Sequence, residues 1–214
     1  MWSNADDDTA YIAVLPPAIS ETGDLGPTQL AGLRTTVEQA LRQAAMADSE
    51  VALISAAETD AVSGSPKVML AALGADEVIA PTLRCAARSC ELMIERIDRE
   101  GAMLAQRALS LPGDAELQSY SVIQGQWSKL FPQHDAVDQP VAAISDQAYA
   151  EYLRLHRLAD DDSRHQDLLP RIETLIEQES AFTPLYQLHS DVALDLYDVS
   201  GEPEYAGRAL RVLD

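Results

Sequence analysis

Two cysteines set four residues apart, between two strand-like runs, constrain this chain more than any other feature. The stretch reads Val78-Ile-Ala-Pro-Thr-Leu-Arg-Cys85, then Ala-Ala-Arg-Ser, then Cys90-Glu-Leu-Met-Ile-Glu-Arg-Ile97. A β-hairpin with a four-residue loop would place Cys85 and Cys90 opposite each other. Non-hydrogen-bonded antiparallel pairs hold their Cα atoms about 4.5 Å apart, and disulfides accept roughly 4.4–6.8 Å, so a bridge is sterically available. A bridged pair belongs to an oxidising compartment; two free, half-buried thiols are the alternative. Zinc ligation by the pair is not expected, because the nearest histidine, His134, is too remote in sequence to complete a ligand motif.

The length of 214 residues allows two modest cores, and 47% hydrophobic residues suffice to fill them. Acidic residues outnumber basic ones 35 to 15, for a formal net charge of −20. Such a surface repels phosphate backbones and anionic lipids, which argues against nucleic-acid partners and membrane-surface binding. No apolar run approaches the roughly 20 residues of a membrane span, so no direct membrane insertion is expected. The opening Met1-Trp-Ser-Asn-Ala-Asp-Asp-Asp lacks the basic start and apolar centre of a signal peptide. An extracytoplasmic placement therefore implies an export or anchoring segment outside this sequence. Asp160-Asp161-Asp162 lacks the alternation and central glycine of a calcium loop and reads as a solvated helix connection.

Periodicity divides the chain. Tyr11–Leu15 reads as a strand stopped by Pro16-Pro17, followed by a polar loop with Gly23 and Gly26. Pro27 opens a helix through about Ala47, with Leu30, Leu33, Val37, Leu41 and Ala44 at helical spacing. Val51–Ser55 is a second strand and Pro66–Leu73 a second helix, ended by Gly74. The cysteine hairpin, a third antiparallel run over Met103–Leu109 and a helix over Ala115–Phe131 complete the unit. The expected order is β-α-β-α-β-β-β-α, an α/β domain with a mixed sheet over residues 10–132. Residues 133–144 read as a linker. From 145 to 214 the pattern is helical, with helices near 145–158, 165–179, 184–199 and 203–214, arranged as antiparallel hairpins.

Leu175-Ile-Glu-Gln-Glu-Ser-Ala-Phe-Thr-Pro184-Leu-Tyr186 resembles the end of one tetratricopeptide repeat entering the next. Tyr186, Ser190, Ala193 and Tyr197 stand at packing positions before Gly201, and Tyr205, Ala209 and Leu213 continue on the following helix. The N-terminal half resembles the TolB amino-terminal type of α/β module through Tyr11-Ile-Ala-Val-Leu-Pro16, Ala72-Leu-Gly-Ala-Asp-Glu-Val-Ile79 and the cysteine hairpin. The paired resemblances imply the extracytoplasmic, periplasmic region of a bacterial membrane-anchored regulator, of Ser/Thr kinase or winged-helix type. They also imply that further repeats follow.

No Gly-x-Ser-x-Gly elbow, phosphate loop or dinucleotide fingerprint occurs, so no catalytic constellation, cofactor or metal site is expected. His156, His165 and His189 match no metal spacing. Glu91 and Glu95, on one face of a strand, read as an acidic sheet face. What remains is a surface for a protein or peptide partner, with Tyr149, Tyr152, His156, Tyr186 and His189 as candidate contacts in a repeat groove; ordinary inter-helix packing explains each of them equally well. The sheet edge offers a second docking mode, by strand addition. The competing readings are a cytoplasmic tetratricopeptide scaffold with free thiols and a cryptic hydrolase.

Overall fold

The computed structural model describes residues 9–87, 89–113, 115–134, 144–159 and 165–211. Most of the expected linker (135–143), Asp160–Asp162 and Leu213 lie outside the described residues. The chain divides into two units, Met1–Gln139 and Pro140–Asp214. No described helix is long and apolar enough to cross a membrane.

The first unit is a mixed α/β structure. Strand β1 (Ala10–Val14) lies between β3 (Val51–Leu53) and β4 (Glu77–Ala86), parallel to both. Strand β2 (Ala18–Thr22) continues along β4, again parallel, with Ala18 opposite Thr82 and Thr22 opposite Cys85. Strands β5 (Ser89–Asp98) and β6 (Met103–Pro112) extend the sheet antiparallel, giving the order β3-β1-β4-β5-β6. The segment read from sequence as a polar loop is thus in part strand β2. Pro16 and Pro17 have no N–H to give a ladder and split one strand path in two. Ala-Ile-Ser-Glu-Thr has a single large apolar residue, so its pairing comes from the neighbouring β4 and not from its own pattern.

Helix α1 (Pro27–Met46) begins at Gly26, whose N–H donates to Gln29 Oε1 at 3.1 Å, and Pro27 fits the first helical position, where no N–H is needed. It buries Leu33, Val37, Ala40, Leu41 and Ala44. A short helix, α2 (Ala56–Asp60), went unread in the sequence. Ser55 caps it, its hydroxyl accepting from Glu58 N while Glu58 reaches back to Ser55 N. Helix α3 (Pro66–Leu73) ends at Gly74 with φ 65° and packs Met69 and Leu70 on Ala13, Leu15, Ile54 and Val78.

The opposite parity of the sheet, Ile79, Leu83, Cys85, Cys90, Leu92 and Ile94, is buried on the side of the closing helices. Those helices are α4 (Glu116–Gln124) and α5 (Trp127–Leu130), where the sequence suggested one helix through Phe131. The break falls at Gly125-Gln126, where glycine is a weak helix former. It lets Leu130 O meet Arg96 and the Trp127 indole meet Asp48.

The described residues of the second unit form helices and no strand: α6 (Asp146–Ala159), α7 (His165–Gln178), α8 (Pro184–Ser200) and α9 (Pro203–Arg211). Each packs on the next, and α6 also reaches α8. Pro170 lies inside α7 without ending it. Gly201, with φ 70°, takes the left-handed cap after α8.

Candidate interaction surfaces and buried networks

Cys85 and Cys90 are register partners across β4 and β5 and form a disulfide, with Cα atoms 3.9 Å apart. Both are 1% exposed, because their strand parity points them at the helix-covered face. The bridge pins the hairpin beneath its loop, where Ala87 takes a positive φ of 51°.

The other face of this hairpin has a different character. Helix α3 brings in Val78, Ala80 and Ile97 at one end. Farther along, Arg84, Glu91, Gln106, Ala108 and Ser110 are exposed. Their contacts are local and solvent-facing: Arg84 Nε donates to Glu21 Oε1 at 3.1 Å, and Gln106 Nε2 to Glu95 Oε1 at 3.3 Å. Glu91 and Glu95 stand on this face, as their spacing suggested, opposite Ser110 and Gln106.

Strand β6 closes the sheet on this side, and among the described residues no strand pairs with its outer edge. It is ten residues long, while β3 at the opposite edge has three. In a chain of net charge −20, Met103-Leu-Ala-Gln-Arg-Ala-Leu-Ser-Leu-Pro112 contains no acid and one base. Met103 is 54% exposed and Leu104 47%. Long edges are normally blunted by charge or by shortness; β6 is not short, and Arg107 is its one charged residue.

Two buried polar networks fix the unit behind that face. Arg96 donates to both oxygens of Glu77, at 2.5 and 2.8 Å, and to Leu130 O at 2.9 Å, with its guanidinium carbon 3.9 Å from the Phe131 ring centre. At the turn into β3, Asp48 Oδ2 accepts from Trp127 Nε1 at 2.8 Å and lies 2.7 Å from His134 Nδ1, while Asp48 Oδ1 accepts from Glu50 N at 3.0 Å. Burial pushes the Asp48 carboxyl up, but the bonds from His134 and Trp127 outweigh it and hold the carboxyl below the usual range. Trp127 stacks on Phe131 at 4.5 Å, and Phe131 meets His134 at 4.9 Å. No sequence pattern links Asp48 to His134, which are 86 residues apart.

In the helical unit, Tyr149 and Tyr152 do not line a surface. Both are 1% exposed, and they meet Phe182 edge-on at 5.8 and 5.3 Å. A side chain this buried cannot anchor a partner, so these two expected contacts are core residues. His189 is equally buried, with Nε2 3.2 Å from Glu173 Oε1. His156 is half-buried against Tyr152, and Tyr186 is half-buried with its hydroxyl on Ser180 O at 2.8 Å. The structure therefore brings Tyr149, Tyr152 and His156 together and leaves Tyr186 and His189 elsewhere. A groove of about 490 Å³ lies on α6 and α7, lined by Gln147, Glu151, Arg154, Leu175, Gln178 and Glu179 among others. Glu151 accepts there from Arg154 and from Arg171.

Glu173 ties three helices, accepting from Arg208 of α9 at 2.6 Å as well as facing His189 of α8. Burial raises its carboxyl, yet the hydrogen bonds from Arg208 and then His189 hold it below its ordinary value of 4.5. A folded-state value below the unfolded one contributes stability above about pH 4.5, lost as pH falls through the folded value. Thermal unfolding of the helical unit, followed by circular dichroism from pH 7 to pH 3, should show this acid-side loss. E173Q should be less stable at pH 7 and flatten the acid limb; an unchanged limb would remove Glu173 from the account.

No protein-family model matches the sequence, and no curated protein matches it. Solved structures similar to the chain include a lipoprotein, GNA1162 from Neisseria meningitidis, at 17% identity and TM-score 0.36, covering 48% of this chain and 80% of that one. The LpoB C-terminal domain from Escherichia coli is similar at 14% identity and TM-score 0.38, over 48% of this chain and 82% of its own. TolB from Acinetobacter baumannii is similar at 14% identity and TM-score 0.39, over 58% of this chain and 29% of its own. These likenesses assign no role to any residue.

Proposed function

We propose that this chain is a non-catalytic, extracytoplasmic protein- or peptide-binding region, the sensing part of a bacterial membrane-anchored regulator such as a Ser/Thr kinase. In this reading the helical unit is a tetratricopeptide-like array. The observation that carries the binding role is β6, a ten-residue edge strand with no acid, exposed Met103 and Leu104, and no strand partner among the described residues. An extended peptide laid along it gains main-chain hydrogen bonds and presents alternate side chains to Gln106, Ala108 and Ser110. The buried Cys85–Cys90 bridge supports the compartment, since disulfides persist in oxidising surroundings, and it holds the β4–β5 hairpin on which β6 is built.

The test uses peptides selected by display against the purified, oxidised chain, mapped by backbone amide shifts. Strongest shifts over Met103–Pro112, and a loss of affinity of about tenfold in a Leu104→Lys/Ala108→Lys variant, are expected. The same sample in glutathione buffer at cytosolic poise should keep its bridge, as structural disulfides do below about −300 mV. Shifts confined to the α6–α7 groove would move the binding site to the helices. A bridge lost at cytosolic poise would support the cytoplasmic scaffold instead.

A further inference from the structure

We propose that Asp48, Glu50 and His134 form a site for a divalent transition-metal cation of the zinc class. The three side chains come from two stretches of the α/β unit that are far apart in sequence. Asp48 and Glu50 flank the turn between α1 and β3, and His134 follows the closing helix α5. Each can offer one ligand atom, and those atoms lie within 4.8 Å of one another. Carboxylate and imidazole are the ligands this class of ion takes in sites with three protein groups and one water.

The geometry is close to what such an ion needs. Bonds of about 2.0–2.1 Å in a tetrahedral arrangement separate neighbouring ligand atoms by roughly 3.4 Å. Asp48 Oδ2 and His134 Nδ1 stand 2.7 Å apart, so they need only open by less than about 1 Å to admit an ion where a proton now sits. The exposed Glu50 carboxylate would supply the third ligand, its oxygen standing within 4.8 Å of the other two ligand atoms. Proton balance is met at the imidazole: the proton between His134 Nδ1 and Asp48 passes to Nε2, or to solvent where Nε2 already carries one, freeing the Nδ1 lone pair.

The surroundings hold two of the ligands in place. Asp48 and His134 have side chains 2% and 11% exposed. Trp127 Nε1 donates to the same Asp48 oxygen, as outer-shell donors do when they orient a metal-binding carboxylate, and Phe131 lies against the imidazole. Glu50 N donates to Asp48 Oδ1, and the Glu50 carbonyl accepts from Ala10 N in β1, so the turn itself is fixed. Bound metal would clasp residue 134 to the body of the unit.

Trp127 makes the site readable. With Trp2 changed to phenylalanine, the only remaining indole hydrogen-bonds a ligand carboxylate, so bound Co²⁺ should quench it. Chelator-treated full chain titrated with Zn²⁺ by calorimetry is expected to take up one equivalent, and the same Zn²⁺ should raise Tm. Two variants should leave the apo fold intact: H134Q, whose amide can still donate to Asp48, and E50Q, at an exposed position. E50Q should keep the apo Tm, H134Q should stay folded with a lowered apo Tm, and both should weaken Zn²⁺ binding by at least about tenfold, with Co²⁺ quenching lost in H134Q. Absence of stoichiometric uptake would overturn the site. So would uptake that survives both substitutions, since that is diffuse binding to an acidic surface.

Discussion

Replacing Glu77 with alanine should lower the stability of the α/β unit by about 3–5 kcal/mol, because it strands a buried charge. Arg96 is 8% exposed and gives two of its donors to the Glu77 carboxylate. Its other contacts, the Leu130 carbonyl, the Gln133 side-chain amide and the Phe131 ring, are neutral and do not replace the lost carboxylate. The cost is therefore mostly that of an unpaired guanidinium in a poorly solvated place. Removing both charges is different. A Glu77→Leu/Arg96→Met variant loses the pair and its desolvation together and should recover most of the loss. Urea unfolding of the wild type, the single variant and the double variant measures this. A single-variant loss under about 1 kcal/mol would mean that water reaches Arg96 and that the pair behaves as a surface one.

Trp127→Ala should cost about 3–5 kcal/mol, the range for emptying a large aromatic site in a core. The indole is 2% exposed and stacks on Phe131, so its removal opens a void beside the one aromatic ring that carries both Arg96 and His134. Trp127→Phe separates packing from hydrogen bonding. It keeps much of the ring but withdraws the N–H from Asp48, at a cost of about 1–3 kcal/mol for a less satisfied buried carboxylate. The same urea titrations decide the matter. Equal losses in the two variants would assign the whole effect to the Asp48 bond.

These two networks show where sequence reading stops. Glu77 and Arg96 could be placed on neighbouring strands from the hairpin alone, and the register sets their side chains two residues out of line on one face, with Asp98 opposite Glu77 and Ile79 opposite Arg96. Their bidentate contact needs a diagonal reach that no pattern specifies. Asp48 directly follows the helix expected through about Ala47, and His134 fell in a stretch read as linker. Only packing of α5 against α1 brings them together. Strand β2 was hidden for the opposite reason: its sequence is polar, and its partner β4 supplies the pairing. Tyr149 and Tyr152 were legible as helix residues of aromatic character, but not as buried, since one helix presents the same stripe to a core or to a partner.

By itself the sequence determined the local elements whose causes are local. Helical periodicity set α1, α3 and α6 to α9, glycine's tolerance of positive φ ended α3 and α8, and the four-residue spacing of Cys85 and Cys90 set the hairpin and its bridge. Tertiary structure alone decided that β2 pairs, that the closing helix breaks at Gly125, that β6 is left at an edge, and that Asp48, Glu50 and His134 meet. Those outcomes depend on which surfaces pack across tens of residues. The free energy of such contacts belongs to the pair of surfaces and is written in neither segment alone.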